Sequence, residues 1–140
     1  MFDLDSCIGF MTNRQSKKLA EAFNNRLAPF GVTRVQWIAM YYLDKYKSLS
    51  QMELADKMDI KPSTLARLVD RMERDGYVQR VKNDEDRRIF LVSLTEKGEK
   101  FWKDLLPEGE NMGKVFSNNI SDEDMSAFMK VLNQMVRNIE

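Results

Sequence analysis

Apolar residues return at helical intervals along most of the chain, and the places where the interval breaks mark its elements. Ile8, Met11, Leu19, Phe23, Leu27 and Phe30 share one helical face, interrupted by Gln15, until Pro29 and Gly31 end the run. This spacing predicts an N-terminal helix of about six turns, longer than a small core requires. A second helix, Thr33 to Tyr46, is apolar nearly all round (Val35, Trp37, Ile38, Ala39, Met40, Tyr41, Tyr42, Leu43), as expected of a helix buried on most sides. A short third helix, Ser50 to Met58, turns Leu54, Ala55 and Met58 to one side. Pro62 suits the first position of a fourth, where the N–H it lacks would be unbonded anyway, and Gly76 is placed to end it. Thr33 with Gln36, Ser50 with Glu53 and Ser121 with Asp124 have the spacing of reciprocal N-terminal caps.

From Tyr77 the period changes. Tyr77 to Val81 and Ile89 to Leu94 are rich in β-branched and aromatic residues and flank the charged stretch beginning Lys82 to Asp86, which predicts a hairpin with a long polar tip. Thr95 then fits the N-cap of a fifth helix carrying Phe101, Trp102, Leu105 and Leu106, which Pro107 and Gly109 are expected to kink or restart before Met112, Val115 and Phe116. A sixth has a one-sided stripe of Met125, Phe128, Met129, Leu132, Met135, Val136 and Ile139. The fold class is therefore mainly α with a small β-hairpin. A helix-turn-helix and β-ribbon over residues 33–95 are flanked by helices in 1–30 and 96–140, within a single chain 1–140. The terminal stripes exceed what a monomer of this size has reason to carry, and predict a homodimer through those helices.

Within the fourth helix, Leu65, Leu68, Val69 and Met72 fall in one arc, while Ser63, Thr64, Arg67, Arg71 and Arg74 cluster opposite. The arginines at i, i+4 and i+7 form one ridge, and the two hydroxyls lie at its N-terminal, electropositive end, where they either cap the helix or meet a ligand. Asp70 can relieve Arg74 at i+4, but Arg67 has no acid at i±4. A phosphate backbone or a guanine edge would satisfy such a ridge. The hairpin tip reads Lys82-Asn83-Asp84-Glu85-Asp86-Arg87-Arg88. It is either a solvated loop or a device in which Asp86 holds the Arg88 guanidinium extended toward a narrow groove.

Composition narrows the chemistry. The 140 residues include 22 Lys+Arg, 22 Asp+Glu, no histidine and one cysteine. That excludes imidazole catalysis, histidine metal ligands and an intrachain disulfide, so no enzyme, cofactor or metal site is expected. The zero net charge is a sum of unlike parts: residues 1–60 carry 8 basic and 7 acidic side chains, 61–90 carry 8 and 6, and 91–140 carry 6 and 9. The N-terminus lacks a signal-peptide pattern and the longest apolar run, Trp37 to Leu43, is far too short to span a bilayer, so a cytoplasmic protein without membrane contact is expected.

Three segments, Ser50-Gln-Met-Glu-Leu-Ala-Asp-Lys-Met, Pro62-Ser-Thr-Leu-Ala-Arg-Leu-Val-Asp-Arg-Met-Glu-Arg-Asp-Gly-Tyr-Val and Asp84-Glu-Asp-Arg-Arg-Ile-Phe-Leu-Val-Ser-Leu-Thr-Glu-Lys-Gly, resemble the MarR (multiple antibiotic resistance regulator) family of bacterial winged-helix transcription regulators. The resemblance covers essentially the whole chain. It implies a homodimer whose first, fifth and sixth helices interlock, a recognition helix starting near Pro62, and a wing whose Arg88 enters the minor groove. It also implies a pocket for phenolic or other aromatic acids between the dimerisation and DNA-binding lobes. The expected function is a ligand-responsive repressor on a pseudo-palindromic operator in double-stranded DNA, with Pro62, Ser63, Thr64, Arg67, Arg71, Arg74, Lys82, Asp86, Arg87 and Arg88 as the DNA-binding set.

Two rivals share the fold. Some members of the family sense peroxides through a lone early cysteine, and Cys7 is so placed. It has no Tyr before Tyr41 and no Lys or Arg within six residues, so an apolar filler role competes with a redox role. The other rival is a winged-helix protein-interaction module. Among ten methionines and several aromatics, Phe10, Trp37 and Tyr41, with Arg14 as a carboxylate partner, are candidates for an effector pocket, although core packing explains them equally well.

Overall fold

The computed structural model describes residues 1–140. Six α-helices, α1 (Ile8–Leu27), α2 (Arg34–Tyr46), α3 (Gln51–Met58), α4 (Pro62–Arg74), α5 (Glu96–Ser117) and α6 (Asp122–Arg137), accompany strands β1 (Leu49–Ser50), β2 (Val78–Lys82) and β3 (Phe90–Leu94). The chain forms two compact units, Met1–Glu108 and Gly109–Glu140, and the helix-turn-helix and ribbon lie wholly within the first.

Helix boundaries follow the local chemistry. Thr33 and Ser50 head complete capping boxes: Thr33 Oγ1 accepts from Gln36 N while Gln36 Oε1 accepts from Thr33 N, and Ser50 and Glu53 do the same. Ser121 accepts from Asp124 N at 3.0 Å, but the return bond is missing, as a side chain one methylene shorter than Glu would lead one to expect. α1 ends at Leu27 in a short 3-10 turn, Ala28–Phe30, closed by Gly31 in the left-handed region at φ 77°. α4 ends at Asp75 and Gly76, the latter at φ 84°. α5 is one continuous helix through Pro107, so of the kink or restart expected there the restart does not occur. Trp102 and Leu105, both buried, anchor the turn before the proline and offset the one backbone bond it removes.

The ribbon belongs to a three-stranded antiparallel sheet in the order β1-β3-β2. Leu49 and Ser50 pair with Val92 and Leu91, while Val78 to Lys82 run opposite Leu94 to Phe90. β1 corrects the simple hairpin: two residues are too few to show a period of two. Its Ser50 also caps α3, so a single residue joins sheet and helix-turn-helix. The core of the first unit is built from Leu27, Met40, Leu43, Leu54, Leu65, Val69, Met72, Val78, Val92 and Leu105, with the aromatic rings packed around it.

The turn from β3 into α5 is tight. Thr95 Oγ1 donates to Gly76 O at 2.5 Å and accepts from Gly98 N at 3.0 Å, and Thr95 N donates to Tyr77 O at 3.0 Å. α5 passes so close to that carbonyl that a Cβ on Gly98 would lie 2.0 Å from Tyr77 O. The Leu-Thr-x-x-Gly pattern is thus a lock between the end of α4 and the start of α5. In the second unit α6 has no buried residue, and Phe128, Met129, Val131, Val136 and Ile139 are exposed.

Candidate nucleic-acid interface

Amphipathicity turns α4 outward. Leu65, Val69 and Met72 are buried, a set whose removal from water contributes about 1.5–3 kcal/mol per side chain. Pro62, Ser63, Thr64, Arg67, Arg71 and Arg74 are exposed. No side chain caps the N-terminus of α4, which leaves its first N–H groups open beside the two hydroxyls. None of the three arginines belongs to any of the six ion pairs in the chain. The expected relief of Arg74 by Asp70 does not occur, because Asp70 bonds Arg80 instead at 2.6 Å.

The tip of the ribbon is organised by its own polar groups. Asn83 Oδ1 accepts from Glu85 N at 2.9 Å, Asn83 N donates to Ile89 O at 2.8 Å, and Ile89 N donates to Asp86 O at 3.0 Å. Asp86 Oδ1 accepts from Arg88 Nε at 3.0 Å and from Arg88 N at 3.1 Å, while Oδ2 accepts from Nη2 at 2.9 Å. The guanidinium is held at two points, yet its side chain is 89% exposed. Those bonds from the Arg88 side chain, and then from its backbone, hold the Asp86 carboxyl below the usual carboxylate range, and Asp86 in turn raises Arg88. Arg87 and Lys82 are exposed, Lys82 Nζ lying 5.9 Å from the Phe90 ring.

Arg80 belongs to this region and was missed from sequence. It donates to Gln51, Ala66, Asp70 and Glu73. The signal that could have found it is its register: Arg80 stands opposite Val92, on the face of β2 shared with Val78, where an arginine needs partners.

The effector candidates divide. Trp37 stacks on Tyr41 with centroids 6.0 Å apart, meets Phe23 edge-on at 5.3 Å and tilts against Trp102 at 5.0 Å. Its Nε1 donates to Leu105 O at 2.8 Å. Phe10 and Arg14 sit at exposed positions of α1, and neither appears in these ring contacts or in an ion pair. Trp102, expected only as an apolar position of the fifth helix, is buried with no hydrogen-bond partner for Nε1. Cys7 is half-buried between the turn Leu4–Ser6 and α1, as N-cap of that helix. No group of three His, Cys, Asp or Glu side chains is placed to hold a metal ion, and no helix is long and apolar enough to cross a membrane.

Comparison with known proteins places this geometry. A MarR family model matches residues 30–89. An uncharacterized HTH-type transcriptional regulator of Bacillus subtilis, YwoH, is 30% identical over 116 residues, covering 83% of this chain and 84% of that protein. Among solved structures, a cysteine-to-serine mutant of MarR from E. coli complexed with operator DNA superposes with a TM-score of 0.86 at 21% identity, over 91% of this chain and 92% of that one. BpsR of Bordetella bronchiseptica, whose DNA binding is regulated by 6-hydroxynicotinic acid, gives 0.89 at 17% identity, over 97% of both chains. With the two helices, the ribbon and the open arginine ridge all in place, the chain belongs to the MarR family of DNA-binding, winged-helix transcription regulators.

Proposed function

We propose that this chain is a cytoplasmic, homodimeric repressor that binds a pseudo-palindromic operator and releases it on binding an aromatic acid. The observation that carries the DNA-binding face is the exposed, unpaired ridge of Arg67, Arg71 and Arg74 beside an Arg88 already fixed by Asp86. The ridge supplies the phosphate and base contacts of a major groove, and Arg88 supplies the minor-groove contact next to it. Pro62, Ser63 and Thr64 present the helix N-terminus to the backbone, and Lys82 and Arg87 flank the tip. Dimerisation is supported by the exposed apolar residues at both ends of the chain, Ile8, Phe10 and Leu19 in α1 and Phe128, Met129 and Val136 in α6. A two-fold dimer sets its recognition helices about 34 Å apart, one turn of the duplex, and a dimer bound across a promoter excludes polymerase. The aromatic-acid effector is supported by the regulation of BpsR and by the cluster of Trp37 and Tyr41.

The test begins with a duplex selected from a random pool by the wild-type protein. Arg88→Ala should weaken its binding roughly 5- to 150-fold, with the light-scattering mass of the dimer unchanged. Unchanged affinity removes Arg88 from the interface, and a monomeric mass for the wild type at micromolar concentration removes the dimer. Phenolic acids should quench tryptophan fluorescence and release the duplex; failure of a varied panel to do either removes the effector.

A further inference from the structure

We propose that Arg80 is the positioning residue of the DNA-binding face: one guanidinium sets the offset between the arginine ridge of α4 and the wing, and keeps that ridge free of acids. The inference rests on the ridge being the DNA-reading surface. Four hydrogen bonds leave the Arg80 side chain. Nε donates to Gln51 Oε1 at 2.6 Å, Nη1 to Glu73 Oε1 at 3.1 Å, and Nη2 to Asp70 Oδ1 at 2.6 Å and to Ala66 O at 3.1 Å. The backbone N–H of Arg80 adds a bond to Glu73 Oε2 at 3.2 Å. With only 17% of the side chain exposed, these are geometrically committed bonds rather than surface pairs that come and go. They join three elements: the first residue of α3, one stripe of α4 from Ala66 to Glu73, and the strand that runs into the wing.

Two consequences follow from where the contacts fall. Ala66, Asp70 and Glu73 each immediately precede a ridge arginine, Arg67, Arg71 and Arg74, so the clamp grips the helical stripe beside the reading stripe and fixes its rotation. Asp70 also lies three residues after Arg67 and four before Arg74, within reach of both. Arg80 draws it away, which is why neither arginine is paired. Without Arg80, Asp70 is free to turn to the ridge and neutralise it. Lysine keeps the charge but cannot bridge the same acceptors, because its donors radiate from one atom.

Full-length Arg80→Gln and Arg80→Lys, compared with wild type on the selected duplex over a salt series and on a random duplex, test this. Both should remain folded dimers by circular dichroism and light scattering. Affinity for the selected duplex should fall about tenfold, the worth of one base contact, with no more loss of salt slope and random-duplex binding than one neutralised ridge charge gives. Adding Asp70→Asn to Arg80→Gln should recover part of the loss. A slope shallower by about one unit that Asp70→Asn does not restore would show Arg80 on a phosphate and overturn the inference. So would a lowered melting temperature with unchanged affinity, or an Arg80→Lys protein equal to wild type. Gln51→Ala, a milder cut at the α3 end, carries the same test where Arg80→Gln does not fold, with a severalfold loss expected and unchanged affinity overturning. Arg67→Ala run in parallel separates the two readings: if it binds normally the ridge assignment fails, and if it alone weakens binding only the Arg80 assignment fails.

Discussion

Alanine at Gly98 sets a small side chain against a fixed backbone. The added carbon would lie 2.0 Å from Tyr77 O and 3.0 Å from Tyr77 C, whereas a carbon and a carbonyl oxygen normally approach to about 3.3 Å. Either α5 or the Tyr77 peptide must therefore retreat by more than 1 Å, on the order of a third of that spacing. Neither is free to do so. Tyr77 N donates to Met72 O at 3.0 Å, Tyr77 O accepts from Thr95 N at 3.0 Å, and Gly76 before it is already in the left-handed region. Overpacking of this kind costs about 1–3 kcal/mol, and breaking one of these backbone bonds adds about 1. The better helix propensity of alanine returns up to about 1, leaving a net destabilisation of about 1–3 kcal/mol. For a chain of this length that is a fall of roughly 3–9 °C in Tm. Thermal unfolding followed by circular dichroism at fixed protomer concentration reads it, since association makes Tm concentration-dependent. The same exchange at Gly113, also in α5 but with nothing within 4 Å of the added carbon, should instead raise stability, by about 0.5–1 kcal/mol. A Gly98→Ala protein that melts with or above wild type would refute the tight junction.

Other outcomes follow from the caps and charges. Ser50→Ala removes one half of a complete capping box and should cost about 1 kcal/mol in urea unfolding near neutral pH. Ser50 holds the Glu53 carboxyl below its usual range, through its backbone N–H first and its hydroxyl second. The ionised half of the box therefore contributes fully above the ordinary Glu range and fades as pH falls through the lowered value. Alanine keeps the backbone N–H, and the Ser50 hydroxyl accepts from Glu53 N whatever the carboxyl's charge, so the wild-type and Ser50→Ala curves should draw closer in acid without meeting. The Asp86 carboxyl should titrate below the ordinary Asp range by NMR and move back toward it in Arg88→Ala; an unmoved carboxyl would place its cause elsewhere. With no histidine in the chain, affinity for the selected duplex should stay nearly flat between about pH 6 and 8, and a steep change there would require a titrating group that these contacts do not supply.

What could be read from the sequence was what short-range chemistry encodes. Helical period, proline at the start of α4, glycine after its end and the Thr33 and Ser50 caps placed the helices to within a residue or two. The arginine ridge was visible because a face is a matter of angle along one helix. The Asp86–Arg88 contact was visible because its partners are two residues apart. What escaped needs distant segments to meet. β1 is two residues long and exists only because β3 passes beside it. Asp70 looked like a partner for Arg74 one turn away, and the strand delivers a better one, Arg80, from ten residues on. Pro107 reads as a kink or a restart by propensity alone, and the burial of Trp102 and Leu105 outweighs the restart. The proposed pocket residues were grouped by type, a signal that core aromatics share, and of them only Trp37 and Tyr41 meet.

The pairing of Asp86 with Arg88 also bears on when ordering entropy is lost. An exposed arginine ordinarily samples many rotamers, and a ligand that fixes it must supply the free energy of that restriction at the moment of binding. Here the partner is two residues away in the same loop, so the restriction is already in place in the free protein and requires neither a second subunit nor DNA. The groove contact proposed for Arg88 then begins from a side chain whose freedom is already narrowed. The difference would register chiefly as a longer residence time on DNA rather than as added stability of the protein itself.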